Sequence, residues 1–133
     1  MILAIDLGGT NLRVALVDGD GNLHAREECA SDIDALAKLA RAVLGRGDAA
    51  SAVVGVPGRV DYGGGTLEYA PNLPPDWADR LTEACLSDAF GVPVALANDA
   101  DLAAVGEAWF GAGRAYNDVA YLTISTEIGR AHV

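Results

Sequence analysis

The sequence has few cysteines and few basic residues, and both shortages restrict what the protein can be. Its two cysteines, Cys29 and Cys85, lie in no CxxC pair and beside no cluster of cysteine and histidine. A disulfide framework or a cysteine-ligated metal is therefore not expected. Both cysteines are expected to be reduced thiols. Lysine and arginine number 9 against 19 acidic residues, for a net charge of −10. Nucleic-acid binding is not expected either, because it requires a basic surface.

Long apolar runs are also missing. No stretch approaches the roughly 20 apolar residues of a membrane helix. The chain opens Met-Ile-Leu-Ala-Ile-Asp, without the basic start and longer apolar run of a secretory signal. We therefore expect a cytoplasmic protein that does not bind membranes. Its 133 residues, 51% of them hydrophobic, suffice for one domain with a hydrophobic core.

Alternating apolar residues and turn-forming residues predict a domain of α/β class that begins with three strands. The expected strands are residues 2–6, 12–17 and 23–28. Residues 18–22, Asp-Gly-Asp-Gly-Asn, predict a hairpin turn between the last two. A helix is predicted from Ile33 to Leu44, with Ser31 as its N-cap and Asp34 in capping-box position.

The rest of the chain continues the alternation of strands and helices. Further strands are predicted at residues 52–56, 94–97 and 118–124. A second helix is expected after the prolines of 71–75, ended by Gly91 and Pro93, with one apolar face formed by Trp77, Leu81, Ala84 and Cys85. A third helix is expected at 100–110, with a core face of Leu102, Val105 and Trp109. The order βββαβαβα…β predicts a mixed sheet with helices on its faces.

Residues 6–11, Asp-Leu-Gly-Gly-Thr-Asn, place a carboxylate at the end of a buried strand, before a turn with two glycines. Such a turn exposes backbone N–H groups to anionic oxygens, and the Thr10 hydroxyl adds a donor. Asp6 is a candidate for holding Mg²⁺ through water, because that ion keeps several waters when it bridges carboxylate and phosphates. The same residues are compatible with a plain hairpin and an incidental aspartate. The loop is neither a Walker A sequence nor a GxGxxG turn.

A second carboxylate, Asp99, stands where a strand meets the third helix, in the sequence Ala-Asn-Asp. One interpretation is an N-cap that satisfies free backbone amides. The other is a general base that takes a proton from a sugar hydroxyl as it attacks the γ-phosphate. A helix N-terminus would keep such a carboxylate ionised, so the two roles are compatible. Asn98 would then donate an amide hydrogen bond to the sugar, whereas Asp101 and Glu107 are expected to face solvent or helical neighbours.

Two turns are candidate walls of a sugar site. Gly58 lies in the turn that follows the strand at 52–56, and Asn72 lies in the proline-rich turn at 70–74. The Asn72 amide offers donors and an acceptor, which paired sugar hydroxyls require. Each turn taken alone is better explained as a loop with no ligand.

Taken in order, these motifs resemble the ROK family, which contains bacterial glucokinases, other sugar and amino-sugar kinases, and sugar-responsive repressors. The matching segments are Asp6–Asn11, Gly55–Gly58, Asn72–Leu73, Ala97–Asp99 and Gly106–Glu107. The resemblance implies the ribonuclease-H-like fold of the hexokinase, actin and Hsp70 group. It also implies ATP and Mg²⁺ as cofactors and a hexose or amino sugar as substrate. By resemblance the first phosphate loop is formed by Asp6, Gly8, Gly9, Thr10 and Asn11. Asp99 would be the catalytic base, and the sugar would contact Gly58, Asn72, Asn98 and Asp99.

The resemblance extends to residue 126. Thr123, Ser125 and Thr126 are similar to the start of the family's second phosphate loop, which continues with glycines that this chain lacks. Residues 1–126 are therefore interpreted as the N-terminal lobe of such a kinase. The family's later sugar-binding Glu and His, its Cys-rich zinc motif and its adenosine pocket have no counterpart here. We expect the C-terminal lobe to be absent and the chain to be inactive alone.

Residues 127–133, Glu-Ile-Gly-Arg-Ala-His-Val, depart from the family pattern. They match the translation of a common short-read sequencing adapter preceded by one G, and the adapter frame then reaches a stop codon. A glycine codon begins with G, so the glycine expected by resemblance would be read as Glu127 at such a junction. We therefore interpret 127–133 as a non-native tail and leave it out of the fold prediction. The alternative is a divergent natural C-terminus.

Two further functions stay open beside the kinase. Sugar-responsive repressors of the family carry a helix-turn-helix ahead of the phosphate loop, whereas this loop begins five residues after Met1 in an acidic chain. A stand-alone sugar-binding module without catalysis is the other possibility. The full-length protein is expected to act on small molecules, with no nucleic-acid partner, and to form a homodimer.

Overall fold

The computed structural model describes residues 1–124 and 128–132. Its strands are β1 Ile2–Leu7, β2 Asn11–Val17, β3 Leu23–Ala30, β4 Ser51–Val56, β5 Arg59–Asp61, β6 Thr66–Tyr69, β7 Val94–Asn98, β8 Ala120–Ile124 and β9 Ile128–His132. Its α-helices are α1 Ile33–Leu44, α2 Glu83–Phe90 and α3 Asp99–Phe110, and a 3₁₀ turn covers Pro75–Trp77. In the part of the chain thus described, no helix combines the length and apolarity needed to cross a bilayer.

A five-stranded mixed sheet in the order β3-β2-β1-β4-β7 organises the domain. β1 pairs antiparallel with β2, and β2 with β3, as the predicted three-stranded start requires. β1 pairs parallel with β4, and β4 with β7, through crossovers that contain α1 and α2. The mixed sheet predicted from the element order is confirmed. Because β1, β4 and β7 run the same way, their carboxyl ends meet at one edge.

The hydrophobic core lies on the sheet face covered by α1 and α2. Alternate residues of the first two strands point to this face and are buried: Leu3, Ile5, Leu7, Leu12, Val14 and Leu16. They pack in one cluster with Ile33, Leu36, Ala40 and Val43 of α1 and with Leu86 and Phe90 of α2. Each fully buried side chain of this size stabilises the fold by about 1.5–3 kcal/mol. Leu102 of α3 approaches Gly55 from the opposite face, so helices cover both faces as predicted.

The cap of α1 differs from the prediction by one residue. Asp32 is the N-cap, and its side chain accepts a hydrogen bond from the Asp34 N–H at 2.8 Å. The Ser31 hydroxyl instead donates to the carbonyl of Gly8, and the Ser31 N–H donates to the carbonyl of Thr10 at 2.8 Å. Ser31 is thus bound to the loop between β1 and β2, which removes it from the helix end.

Replacing Asp32 by alanine should lower the free energy of unfolding by about 1 kcal/mol, the usual cost of losing an N-cap. Asp32→Asn is the matched control, because an asparagine side chain caps a helix about as well. Urea unfolding followed by circular dichroism measures both variants. Equal loss in the two would mean that the charge of Asp32 matters and its capping hydrogen bond does not.

Three further predictions about elements were wrong, and one pair of strands was missed. The second helix begins at Glu83, after the cap Thr82, so Trp77 and Leu81 precede it. Its buried residues are Leu86 and Phe90, whereas Ala84 and Cys85 are exposed. Trp109, predicted in the core, is 71% exposed. The antiparallel pair β5–β6 was not predicted at all.

The last two strands form a separate hairpin. β8 pairs antiparallel with β9, with Thr123 opposite Gly129. Ladder hydrogen bonds use backbone groups that every residue except proline carries, so this pairing is independent of the origin of residues 127–133. Ser125, Thr126 and Glu127 lie outside the described residues, as does Val133.

Candidate functional site

The candidate site lies where the three parallel strands end. Asp6 in β1 is in register with Gly55 in β4, and Gly55 with Ala97 in β7. A side chain added at Gly55 would meet Leu102 at 3.0 Å and the Asp99 Cα at 3.7 Å. Glycine at this position lets the start of α3 lie directly on the sheet. Asp6, predicted to hold Mg²⁺, and Asp99, predicted to be the base, are thereby brought to the same edge.

The predicted phosphate loop is a closed turn anchored to α1. The Gly8 N–H donates to the Asn11 carbonyl at 2.9 Å, which closes the turn between β1 and β2. The contacts of Ser31 with Gly8 and Thr10 then fix the turn to the residue before the cap of α1. Gly9, Thr10 and Asn11 are exposed, as residues that bind a ligand from solution must be.

Asn72 lies against this loop. A side chain added at Gly9 would come within 3.2 Å of the Asn72 carbonyl oxygen and 3.4 Å of its Cβ. Asn72 is itself exposed, so its amide is open to a ligand. The fold therefore places Asn72, which is predicted to bind the sugar, beside the predicted phosphate loop, although the two are far apart in sequence.

Asp6 has a cationic neighbour that the sequence analysis missed. The Arg13 guanidinium donates to Asp6 Oδ2 at 3.0 Å and to Glu28 Oε1 at 3.2 Å. These carboxylates, with the Asp6 hydrogen bond as the largest cause, raise the pKa of Arg13 and keep it charged. About half of each side chain of the Asp6–Arg13 pair is exposed, so the pair itself adds little stability. The register of the β1–β2 hairpin, Asp6 opposite Arg13, was the signal that could have revealed this contact.

The start of α3 corrects the predicted cap. Asn98, and not Asp99, is the N-cap: its Oδ1 accepts from the N–H groups of Ala100 at 2.9 Å and Asp101 at 3.1 Å. Asn98 Nδ2 donates to the Gly58 carbonyl at 2.7 Å. Asp99 is the first residue of the helix, and its Oδ1 accepts from the Ala100 N–H at 2.8 Å. Among residues 1–124 and 128–132, Asn98 thus uses one of its two amide hydrogens, which leaves the other for a ligand.

Gly58 lies at a point where two backbones touch. A side chain added there would come within 2.3 Å of the Tyr69 carbonyl oxygen and 2.8 Å of the Ala70 Cβ. Since real Cβ atoms do not approach so closely, only glycine fits between β4 and the β5–β6 hairpin. Gly58, Asn98 and Asp101 also line an open cavity of about 320 Å³ together with Arg59, Val60 and Tyr62.

Asp101 was expected to face solvent or a helical neighbour, and it has a partner from another element. The Tyr62 hydroxyl donates to Asp101 Oδ2 at 2.7 Å and accepts from the Asn98 N–H at 3.2 Å. Nothing in the spacing of the sequence indicates this contact, because 39 residues separate Tyr62 from Asp101.

Thr123 stands apart from this cluster, and Asp6 belongs to no group of metal ligands among the described residues. Thr123 belongs to the β8–β9 hairpin and not to the sheet that carries Asp6, and Ser125 and Thr126 lie outside the described residues. Within residues 1–124 and 128–132, no group of three or more His, Cys, Asp or Glu side chains is arranged to hold a metal ion. A cation at Asp6 would thus need most of its ligands from water or a bound phosphate.

Comparison with known proteins gives a consistent result. The chain matches the ROK family over residues 2–133. It is 33% identical over 136 residues to the glucokinase of Thermotoga maritima, in an alignment that covers 96% of this chain and 43% of that enzyme. It is 34% identical over 76 residues to the xylose repressor of Caldicellulosiruptor bescii, covering 57% of this chain and 18% of the repressor.

The fold is similar to that of a ROK family glucokinase from Streptomyces griseus, solved in complex with glucose and AMPPNP. The TM-score is 0.86 at 28% identity, and the match covers 99% of this chain and 44% of that one. The chain therefore spans less than half the length of these glucokinases. The predicted α/β class and the ribonuclease-H-like fold are confirmed. By sequence and by fold, the chain belongs to the ROK family.

Proposed function

We propose that the full-length protein transfers the γ-phosphate of ATP to a hydroxyl of a hexose or amino sugar. One observation carries the proposal. Asp6, the Gly9–Asn72 contact and the start of α3 converge at the carboxyl ends of β1, β4 and β7. This edge is where open α/β sheets bind ligands. Similarity to glucokinases along nearly the whole chain supports the same reaction.

The residues divide between the two substrates. The backbone N–H of Gly9 and the Thr10 hydroxyl would bind phosphate oxygens, while Gly8 and Asn11 close the loop through the hydrogen bond between them. Thr123, Ser125 and Thr126 would supply a second phosphate loop. The sugar would lie against Gly58 and accept or donate hydrogen bonds at the amides of Asn72 and Asn98.

Asp99 would be the general base. Its place as the first residue of α3 puts the carboxylate at the positive end of the helix dipole, where a negative charge is favoured and a hydroxyl proton could be accepted. Proton acceptance by a positioned carboxylate is a small part of phosphoryl transfer. The larger part is the alignment of the sugar hydroxyl with the γ-phosphate. The contact between Gly9 of the phosphate loop and Asn72 would provide this alignment.

The position of the Asp6 carboxylate is compatible with Mg²⁺ bound through water. Asp6 is half exposed and gives its Oδ2 to Arg13, so Oδ1 could accept a hydrogen bond from a water of the ion. Such outer contact is typical of Mg²⁺ bound chiefly by phosphates and water. When bound, the ion would neutralise charge on the β- and γ-phosphates.

We also propose the cellular location and the partners of the full-length protein. Free Cys29 and Cys85 are consistent with a reducing cytoplasm, where ATP is at hand. A homodimer is proposed for the full-length protein, with no nucleic acid or membrane among its partners. The identity of the sugar depends on residues outside this chain.

The direct test incubates full-length protein with Mg-ATP and a panel of hexoses and amino sugars, and follows ADP release and sugar phosphate by ³¹P NMR. We expect turnover with one or a few sugars.

Asp6→Asn should raise the Mg²⁺ concentration needed for half-maximal rate, while the sugar affinity measured by calorimetry stays within about twofold. The 133-residue chain alone should release no ADP above blank. No turnover by the full-length protein with any sugar would contradict the proposal, and turnover by this chain would contradict the expectation that it is inactive alone.

A sugar-responsive repressor is the second candidate, supported by the identity to the xylose repressor. The net charge of −10 weighs against it, because DNA affinity depends on neutralising phosphates. Gel-shift experiments with DNA from the source locus, with and without sugar, separate the two functions. Sugar-sensitive DNA binding without phosphorylation would favour the repressor. Sugar binding with neither activity would favour a non-catalytic module.

A further inference from the structure

The first turn of α3 carries an incomplete capping box. In a capping box the N-cap side chain accepts from the N–H of the third helical residue, and the side chain of that residue accepts from the N-cap N–H. Asn98 and Asp101 occupy these two positions, and the first half is present: Asn98 Oδ1 accepts from the Asp101 N–H at 3.1 Å. The usual third residue is Glu or Gln, one methylene longer than aspartate.

The hydroxyl of Tyr62 completes the second half. The Asn98 N–H donates to the Tyr62 hydroxyl at 3.2 Å, and that hydroxyl donates to Asp101 Oδ2 at 2.7 Å. The phenol therefore relays the hydrogen bond that the short aspartate side chain does not make directly. Partial removal of the hydroxyl from water is the largest cause that raises the pKa of Tyr62, although the residue is exposed as a whole, and the phenol stays protonated and able to donate at neutral pH.

The relay also fixes α3 to another element. Tyr62 directly follows β5 and is held there by a turn in which Asp61 accepts from the N–H groups of Gly63 at 2.9 Å and Gly65 at 2.8 Å. The Gly58 carbonyl, at the other end of β5, accepts from Asn98 Nδ2 at 2.7 Å. The helix start is thus held from both ends of one short strand.

Asp99 belongs to the helix turn that these contacts hold, since it directly follows Asn98 and precedes Asp101 by two residues. We propose that Tyr62 is a positioning residue that sets the direction of the Asp99 carboxylate through Asn98 and Asp101. The inference rests on the proposed function, because it assigns Tyr62 to the sugar phosphotransfer. Tyr62 itself touches neither substrate in this scheme.

The test compares full-length wild-type protein with Tyr62→Phe, which removes the hydroxyl and keeps the ring. Sugar-binding sites are counted by calorimetry, so that kcat refers to folded protein only. We expect kcat per site to fall between about 5-fold and 50-fold, since a misplacement of about 1 Å costs up to about 100-fold. The KM for sugar should stay within about twofold. Tyr69→Phe, in the same hairpin and also exposed, is the matched control and should keep the wild-type kcat.

A longer acid gives the rescue. Asp101→Glu supplies the side chain that a capping box normally uses, so it can reach the Asn98 N–H without a relay. In the Tyr62→Phe background, Asp101→Glu should recover most of the lost kcat. Wild-type kcat per site in Tyr62→Phe, with only a lower melting temperature, would overturn the inference and leave a structural role. Failure of the glutamate to recover any turnover would overturn the relay as the cause.

The proposed function fails separately from this inference. If the wild-type protein phosphorylates no sugar, both the kinase proposal and the assignment of Tyr62 are overturned. If the wild-type protein is active and Tyr62→Phe is equally active, the kinase proposal stands and the assignment alone is overturned.

Discussion

Replacing Asp99 by asparagine in the full-length protein should lower kcat by about two to four orders of magnitude. The change keeps the size of the side chain but removes the group proposed to accept the hydroxyl proton, and loss of such a base costs about 10²–10⁴-fold. Sugar affinity should change much less, because an amide can still hydrogen-bond a hydroxyl. Steady-state kinetics and calorimetric sugar binding measure the two effects.

The stability of the same variant separates catalysis from capping. Asn98 supplies the cap of α3, and an asparagine at position 99 can still accept from the Ala100 N–H. The melting temperature of Asp99→Asn should therefore match that of the wild type within about 2 °C. A larger difference would require a change of about 1 kcal/mol in the free energy of unfolding. Near-normal turnover with a clearly lower melting temperature would show that Asp99 serves the helix and that the base lies elsewhere.

Gly58→Ala is expected to have the largest effect on stability and to weaken sugar binding. The added methyl group would overlap the Tyr69 carbonyl, at 2.3 Å, so the β5–β6 hairpin must move away from β4. Overpacking of this kind costs about 1–3 kcal/mol. The movement also displaces the Gly58 carbonyl from Asn98, so we expect sugar affinity to fall at least about 10-fold, equivalent to about 1.4 kcal/mol. Urea unfolding and calorimetry test the two effects.

Gly106→Ala is the matched control for that experiment. Among the described residues, a side chain added at Gly106 meets nothing within 4 Å, and Gly106 lies inside α3. Alanine is favoured over glycine in a helix interior by about 1 kcal/mol, so this variant should be as stable as the wild type or more stable. Similar losses for both glycines would mean that the contact with Tyr69 is not the reason for Gly58.

The parts of the fold that the sequence predicted are those governed by local periodicity. The β1–β2–β3 start, α1 and the strands β4 and β7 follow from alternation, helical spacing and turn residues that lie within a few positions of each other. The β5–β6 pair was missed because β5 has only three residues and depends on distant contacts. One of these is Glu83, whose N–H donates to the Gly65 carbonyl at 2.9 Å.

The error at Trp109 has a different cause. Helical spacing places it with Leu102 and Val105, but α3 reaches the sheet through its first turns, where Ala100 and Ala104 are buried. Farther along, Val105 is 43% exposed and Trp109 71%. Spacing identifies the apolar face of a helix. It gives no information on how much of that face the sheet covers.

The candidate site was predictable in its motifs and not in its cross-contacts. Asp6, Gly58, Asn98 and Asp99 stand in short segments whose residue types indicate their chemistry. Arg13 and Tyr62 have no motif of their own, and their importance comes from partners on other elements. The cap of α3 was placed on Asp99 because the two neighbouring residues are both good caps, and the backbone geometry alone decides between them.

The position of β1 in the sheet has a consequence for the order in which the chain folds during synthesis. The pairs β1–β2 and β2–β3 join segments that are adjacent in sequence, so they can form as soon as residue 30 has left the ribosome. β4 must then cross over α1 to pair with β1, and β7 must cross over α2 to pair with β4. Until β7 arrives, the far edge of β4 is an open strand edge, a known route to aggregation. Since β7 ends at Asn98, completion of the sheet and assembly of the helix start that carries Asp99 are the same late event.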